Sequence, residues 1–321
     1  MENLRKLTET ILSEKSDFSA LEQAIKGMQA FYEAHTHTDM DNLPEDGINL
    51  PSGLAISPWQ AAACLKEVRR TTIFLRGIHK AILQLKQDFP GEKINVLYAG
   101  CGPYATLLTP FTTLFNPNEL AFYMLDINEE SLNSVRLLYS ELGITEHIAE
   151  IICGDAATIV LPQDHTIHMA VSETMQKALI QEPQVSIMLN IIPQMEDNAI
   201  FIPEEINVSM KLLTMAEHQM SNFIGDRNPE HIDLGHLYTI GRQDCKPPAE
   251  RVITIPQKID DFITLNLFTD ITVYKDEKLY AHNCTLNLPL MIANVENKTD
   301  KKVVLRYDMG PLPEFRCEWL G

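Results

Sequence analysis

The chain has 321 residues, a length that predicts two domains and a sizeable hydrophobic core. Hydrophobic residues make up 45% of it and charged residues 22%, as in soluble globular proteins, which excludes a disordered or fibrous chain. The net charge of −18 argues against nucleic acid as a partner, because phosphate binding needs clustered lysine and arginine.

The six cysteines lie singly along the sequence, with no Cys-x-x-Cys pair. This distribution argues against a zinc site or a disulfide framework and favours a reduced compartment. The N-terminus is charged and amphipathic, unlike a signal peptide, and no stretch approaches the roughly 18 consecutive apolar residues of a membrane span. We therefore expect a cytoplasmic protein without a metal or a membrane partner.

The N-terminal part of the chain is predicted to be helical. Apolar side chains recur at helical spacing through the first 35 residues, and the loop "THTDMDNLPEDGINLPSG" follows. A further helix begins where Ser57 can cap it and Pro58 can occupy its first turn. We assign residues 1–57 to an N-terminal helical segment, and we expect its loop at 35–53 to help to enclose a substrate.

Four residues of this loop have side chains that bind metals elsewhere: His35, His37, Asp39 and Asp41. Their positions do not follow the regular spacing of a metal site. A polar loop or a substrate lid is therefore the better interpretation.

The middle of the chain predicts a parallel sheet. Short apolar runs that read as strands alternate with helical stretches. The strand-like runs are 94–99, 120–126, 149–153 and 167–172, and the helical stretches lie near 104–115 and 129–142. Strands that alternate with helices form a parallel sheet covered on both faces. Residues 58–205 are therefore predicted to be an α/β domain.

Beyond Pro203 the pattern changes. Segments such as "EEINVSMKLL", "DFITLNLF", "ITVY" and "KKVVLRYD" are typical of strands, with turn residues and few helices between them. Residues 206–321 are therefore predicted to form an antiparallel β domain. The polar segment 216–248 is expected to be a protruding arm or a lid.

The first strand of the α/β domain ends in a glycine turn, within "VLYAGCGPYATLL" at 96–108. Gly100, Cys101 and Gly102 let the backbone approach a ligand closely, and a following helix would point free N–H groups at it. With Ala105 the string also fits the G-x-G-x-x-G/A pattern of dinucleotide-binding proteins. The turn alone is therefore compatible with more than one nucleotide cofactor.

The next strand ends in Asp126, where a carboxylate can hold two ribose hydroxyls. This feature fits a nicotinamide dinucleotide and S-adenosylmethionine equally well. A nicotinamide-dependent oxidoreductase therefore stays open as an alternative on these two features.

Two later segments distinguish the alternatives. The third strand is followed by "CGDA", where an adenine would lie, and the fourth strand runs into "SETMQKALIQEP". Here the sequence resembles the protein arginine methyltransferase family of class I S-adenosylmethionine enzymes, whose signature is a loop with two glutamates nine residues apart. Glu173 and Glu182 have that spacing. "KEVRRTTIF" (66–74) is similar to a further family segment, and so is "NAIFIPEEINVSM" (198–210), the strand that leads into the family's β-barrel.

The resemblance implies a Rossmann-like methyltransferase domain that binds S-adenosyl-L-methionine. Arg70 is the best match to the family's arginine that binds the cofactor's carboxylate. On this basis the catalytic residues are Glu173 and Glu182. The cofactor-binding residues are Arg70, Ala99, Gly100, Cys101, Gly102, Tyr104, Asp126, Ile127, Asp155, Ala156 and Glu173.

Two carboxylates suit the methylation of a guanidinium, whose lone pairs are delocalised into a cation. Paired N–H···O bonds from Glu173 and Glu182 would localise the charge away from the attacking nitrogen, and one carboxylate would accept the released proton. Lys177 lies between them and could instead neutralise one. The resemblance therefore implies an N-methyltransferase that acts on a guanidinium- or amine-containing substrate.

One family segment that bears on the choice of substrate is missing from this sequence. The family's Thr-His-Trp loop, which helps to shape the arginine pocket, has no counterpart, because neither Trp59 nor Trp319 follows a histidine. We therefore expect a small-molecule substrate rather than a protein, with a protein arginine as the alternative. A homodimer is compatible with the sequence.

Overall fold

The computed structural model describes residues 1–36, 43–161 and 166–320. His37, Asp39 and Asp41 of the N-terminal loop lie outside the described residues. The α-helices are α1 (Glu2–Leu12), α2 (Phe18–Thr36), α3 (Pro58–Cys64), α4 (Val68–Asp88), α5 (Glu129–Glu141), α6 (Gln184–Ile191) and α7 (Met215–Met220). No helix in the described ranges is long and apolar enough to span a membrane.

Within the described residues, the strands fall into three sheets and one N-terminal hairpin. They are β1 (Ile48–Leu50), β2 (Gly53–Ala55), β3 (Ile94–Ala99), β4 (Leu120–Asp126), β5 (Ile148–Cys153), β6 (Met169–Ser172), β7 (Ile200–Ile202), β8 (Glu205–Leu213), β9 (Ile232–Gly241), β10 (Arg251–Thr254), β11 (Thr264–Tyr274), β12 (Glu277–Leu279), β13 (Leu290–Asn294), β14 (Lys302–Asp308) and β15 (Glu314–Leu320).

The central sheet is parallel, with strand order β5-β4-β3-β6-β7, which confirms the α/β prediction. Every residue of β4 is buried, as expected for a strand covered on both faces. Ala99 at the end of β3 pairs with Leu125 of β4 and with Ser172 of β6. The residues that follow β3, β4 and β6 therefore meet at one edge of the sheet.

The N-terminal helices complete the core of this part of the molecule. Leu4, Ile11 and Met28 are fully buried, and the ring of Tyr32 lies 5.3 Å from that of Tyr104, which follows the glycine turn. Ser57 caps α3 as predicted: its hydroxyl accepts from the backbone N–H of the third helical residue, 3.2 Å away, in a reciprocal capping box. The chain then turns and begins a separate helix, α4.

The C-terminal part consists of antiparallel strands, as predicted. One sheet has the order β12-β11-β8-β9, with β13 also paired to β11, and a second has the order β10-β14-β15. One long strand, β11, contains "ITVY" and the last five residues of "DFITLNLF". The polar segment 216–248 contains part of α7 and all of β9, which pairs along β8, so much of it belongs to the sheet rather than to an arm.

The helix predicted at 104–115 is wrong. Turns occupy most of this stretch, and only Thr109–Thr113 form a 3₁₀-helix. Ala105 has a left-handed backbone with φ 43°, which interrupts an α-helix at its start. Pro110 has no N–H to donate to the carbonyl of the preceding turn. The glycine turn is therefore not followed by the regular helix N-terminus that the sequence suggested.

Candidate active site

The edge of the sheet at which β3, β4 and β6 end opens into a cavity of about 1000 Å³, its mouth included. The predicted site residues that line it are Arg70, Gly100, Cys101, Gly102, Asp126, Ile127, Asp155, Ala156, Glu173 and Glu182. Two predicted residues do not line it. Ala99 is buried as the last residue of β3, and Tyr104 is buried against Tyr32.

The glycine turn forms the floor of the cavity. Gly100 and Gly102 have φ values of +76° and +63°, which side chains rarely adopt. A Cβ atom at Gly100 would lie 2.5 Å from Cγ2 of Thr174, so glycine allows the turn after β3 to approach the segment after β6. The cavity floor is therefore bare backbone.

Asp126 is fixed by backbone donors at the end of β4. Its Oδ2 accepts from the N–H of Gly102 at 2.9 Å, and its Oδ1 accepts from the N–H of Asn128 at 2.8 Å. Burial raises the pKa of Asp126, and these backbone donors partly offset that rise. A carboxylate oxygen can accept more than one hydrogen bond, so Asp126 can still accept from the hydroxyl groups of a ligand in the cavity.

Arg70 lies in the first turn of α4 and joins two carboxylates. Its Nη1 donates to Oε2 of Glu67 at 3.0 Å, and its Nη2 donates to Oε2 of Glu173. Arg70, rather than Lys177, is thus the ion-pair partner of Glu173. The other oxygen of Glu173, Oε1, is buried and has no hydrogen-bond partner within the part of the chain that the structure describes.

Glu182 is the second buried carboxylate, with 5% of its surface exposed. Burial, followed by the charge of Glu173, raises the pKa of Glu182 to about 7. Burial also raises the pKa of Glu173, but the ion pair with Arg70 counteracts the effect. Glu182 can therefore exchange a proton near neutral pH, whereas the carboxylate of Glu173 is paired with the Arg70 guanidinium.

The loop that carries Glu182 has an unusual backbone. Ala178, Leu179 and Gln181 have φ values of 53°, 58° and 65°, all in the left-handed region. Such a conformation costs a non-glycine residue on the order of 1–3 kcal/mol and occurs preferentially at functional sites. The strain marks this loop as a part of the molecule whose shape is held by its surroundings.

The N-terminal hairpin of β1 and β2 packs on this loop. The N–H of Leu54 donates to the carbonyl of Gln181 at 2.7 Å. A Cβ atom at Gly53 would lie 2.9 Å from the same carbonyl oxygen, so the two backbones are in direct contact. Leu50, Leu54 and Ile56 also line the cavity. Leu50 belongs to the loop at 35–53 that the sequence analysis expected to enclose a substrate, whereas no motif points to Leu54 or Ile56.

Further polar residues line the cavity without having been predicted: Tyr98, Thr106, Ser131 and Thr174. Tyr98 lies beside Ala99 at the end of β3, and Thr174 lies beside Glu173 after β6. Each is therefore adjacent in sequence to a predicted site residue. Ser131 lies in the first turn of α5, just after the Asp126 strand. Proximity in sequence to a strand end was the available signal for Tyr98, Ser131 and Thr174, and Thr106 had no such signal.

Comparison with known proteins places the fold. No family model and no curated protein matches the sequence. Among solved structures, the chain is similar to the Trypanosoma brucei PRMT1 enzyme–prozyme heterotetrameric complex with AdoHcy. The TM-score is 0.51, with 15% sequence identity, over 80% of this chain and 92% of that one. The chain therefore shares the fold of this solved structure: a Rossmann-like parallel sheet with N-terminal helices and a C-terminal antiparallel β domain.

Proposed function

We propose that this protein is an S-adenosylmethionine-dependent N-methyltransferase that acts on a guanidinium- or amine-containing small molecule. The observation that carries the proposal is the pair of carboxylates Glu173, whose side chain is 9% exposed, and Glu182, which is buried, in the same cavity as the glycine turn and Asp126. The structural neighbour with AdoHcy, the demethylated form of this cofactor, supports the choice of cofactor.

The residues of the cavity fit this cofactor. The bare backbone at Gly100 and Gly102 leaves room for the methionyl part, and Arg70 supplies a counter-charge for its carboxylate. Asp126 would accept from the ribose hydroxyls, and Asp155 with Ala156 would contact the adenine. S-adenosylmethionine, when bound, supplies a methyl group on a positively charged sulfur.

The two carboxylates then act on the nitrogen substrate. Among the described residues that line the cavity, Asp126, Asp155, Glu173 and Glu182 are acidic and Arg70 is the one arginine or lysine, so the site favours a positively charged group. The unpartnered Oε1 of Glu173 would accept an N–H and orient the nucleophile. Glu182 would take the proton that the nitrogen loses on methylation, for which a pKa of about 7 is well suited.

The N-terminal hairpin of β1 and β2 packs over the cavity, which favours a small substrate. The hairpin residues Leu50, Leu54 and Ile56 form part of its wall beside Glu182. A protein arginine is the alternative within the same chemistry. Methylation assays that compare free guanidino compounds and amines with arginine-containing peptides distinguish the two, and turnover of peptides alone would reject the small-molecule proposal.

Ligand binding separates this proposal from a nicotinamide-dependent oxidoreductase. A ligand at about 100 times its dissociation constant stabilises a folded protein by roughly 2.7 kcal/mol. We expect thermal unfolding to shift upward with S-adenosylhomocysteine and to stay unchanged with NAD(H). A shift with NAD(H) alone would reject the methyltransferase.

Replacing Arg70 with lysine is expected to weaken S-adenosylhomocysteine binding by about tenfold or more, because lysine keeps the charge but loses the forked hydrogen bonds. Arg69→Lys is the matched control: Arg69 pairs with Asp226 at 2.7 Å on the surface and does not line the cavity. Calorimetric titration of both variants measures the difference. Equal affinities would remove Arg70 from the cofactor site.

Crowding the hairpin against the loop of Glu182 is expected to reduce methyl transfer. In Gly53→Ala the new Cβ would lie 2.9 Å from the carbonyl oxygen of Gln181 and from the nitrogen of Pro183, so the backbone beside Glu182 must move. A displacement of about 1 Å in an active site costs up to roughly a hundredfold in rate. We expect a loss between about tenfold and a hundredfold, measured as methyl transfer under saturating cofactor.

Gly91→Ala is the control for this experiment. Gly91 also has a positive φ, +83°, but a Cβ atom there would have no atom within 4 Å beyond its chain neighbours, so alanine brings backbone strain without crowding. Deleting the N-terminal segment is a poorer test, because Leu4, Ile11 and Tyr32 are part of the core. Equal activity of the two alanine variants would exclude the hairpin from the site.

A further inference from the structure

The loop between Gln176 and Glu182 is held from the C-terminal β domain. The N–H of Ala178 donates to the hydroxyl oxygen of Thr269, on β11, at 2.9 Å. The hydroxyl of Tyr307, on β14, donates to the carbonyl of Leu179 at 2.6 Å. These bonds fix the peptide groups on both sides of the left-handed residues.

A third bond comes from the turn between β14 and β15. The N–H of Gln181 donates to the carbonyl of Pro313 at 2.7 Å. Gln181 immediately precedes Glu182, so the backbone on the N-terminal side of Glu182 is hydrogen-bonded to the β domain. A left-handed backbone at non-glycine residues persists only where the surrounding structure over-determines it, and these three bonds supply that constraint.

Of these contacts, Tyr307 can be altered with the least disturbance. Its ring packs against Phe315, with 4.8 Å between the ring centres, and its hydroxyl reaches the loop. Phenylalanine at this position keeps the packing and removes one hydrogen bond. The effect of that bond on Glu182 can therefore be measured separately from the stability of the domain.

We propose that Tyr307 and Thr269 are positioning residues: through their hydrogen bonds to Leu179 and Ala178, the C-terminal β domain holds Glu182 in the cavity at the place where it accepts the substrate's proton. This inference rests on the proposed function. It assigns to the β domain a direct part in the reaction of the α/β domain, although neither residue lines the cavity.

The test compares two tyrosine variants. Tyr307→Phe is expected to lower kcat by about tenfold while leaving the affinity for S-adenosylhomocysteine unchanged, because the cofactor contacts lie on other loops. Tyr238→Phe is the matched control, since the hydroxyl of Tyr238 donates to the carbonyl of Lys246 at 2.8 Å and its ring also packs on Phe315. Equal kcat in the two variants would overturn the inference.

A double-variant cycle separates positioning from general destabilisation. If Tyr307 acts through Glu182, Tyr307→Phe should have no further effect on kcat in a Glu182→Gln background. A structural role would lower kcat equally in both backgrounds, and that result would overturn the inference. Wild-type protein that neither binds S-adenosylhomocysteine nor methylates amines would instead reject the proposed function.

A measurement on the ligand-free protein tests the positioning role even if the proposed function is rejected. The carboxyl carbon of Glu182, labelled with ¹³C and followed by NMR, is expected to titrate differently in Tyr307→Phe than in wild-type protein, because the carboxylate changes its surroundings when the loop moves. Tyr238→Phe should titrate like the wild type. Identical titration of Glu182 in all three proteins would contradict the positioning role whatever the reaction is.

Discussion

Glu173→Gln and Glu182→Gln are each expected to reduce methyl transfer by about a hundredfold or more while the fold is retained, and Glu182→Gln should also keep the affinity for S-adenosylhomocysteine. Glutamine keeps the shape of the side chain but loses the charge, and its amide group offers donors where the substrate's N–H groups need acceptors. Glutamine at 173 can still accept from Arg70 through its carbonyl oxygen. Single-turnover methylation kinetics, with calorimetry on the same preparations, measure both quantities.

The control for these variants is Glu277→Gln. Glu277 is also a buried carboxylate, 7% exposed, but it pairs with Lys80 and lies outside the cavity, so methyl transfer should stay at the wild-type rate. In the double variant the two active-site losses should combine to less than their product, because both carboxylates act on one bound group. Full activity in both single variants would reject the two-carboxylate mechanism.

The parallel sheet could be predicted from the sequence nearly to the residue. β3 and β4 are continuous apolar runs bounded by polar residues, which is how strands buried on both faces appear in a sequence. Since the ends of parallel strands lie at one edge of the sheet, the motifs after each strand were expected to meet. The cavity brings Gly100, Asp126 and Glu173 together for this reason.

Other elements could not be read from the same signals. The stretch 104–115 has helical apolar spacing, but the left-handed Ala105 and the missing donor at Pro110 break it. β9 lies in a polar-looking segment, and its buried positions are confined to its second half, where Leu237, Tyr238 and Ile240 enter the core. Its strand conformation is set by pairing with β8, which is a tertiary contact.

The residues that hold the loop of Glu182 in place could not be predicted from the sequence. Thr269 is 91 positions from the residue it contacts, Ala178, and Tyr307 is 128 positions from Leu179. Local motifs identify side chains that face a ligand, because those follow strand ends. A hydrogen bond to the backbone of a distant loop leaves no pattern in one sequence, since many residue types can supply the same hydroxyl.

Glu182→Gln is also expected to change how stability depends on pH. The pKa of Glu182 rises from its ordinary value of 4.5 to about 7 in the folded protein, so the folded state binds this proton more tightly than the unfolded state. Stability from this group is therefore present at low pH and is lost as the pH rises between those two values. The loss is about 3 kcal/mol, at about 1.4 kcal/mol for each unit of pKa shift.

Glutamine cannot ionise, so the variant escapes this loss. The free energy of unfolding of Glu182→Gln minus that of wild-type protein should increase by about 3 kcal/mol from pH 4.5 to pH 8, in urea titrations at matched ionic strength. The acid side provides the internal control, because below the unfolded-state pKa the carboxyl group is protonated in both states and the difference should level off. A difference that stays constant up to pH 8 would mean that Glu182 ionises in the folded protein as it does in water. In that case the rate of methyl transfer would not rise with the ionisation of Glu182 near neutral pH. Another group would have to accept the proton from the substrate.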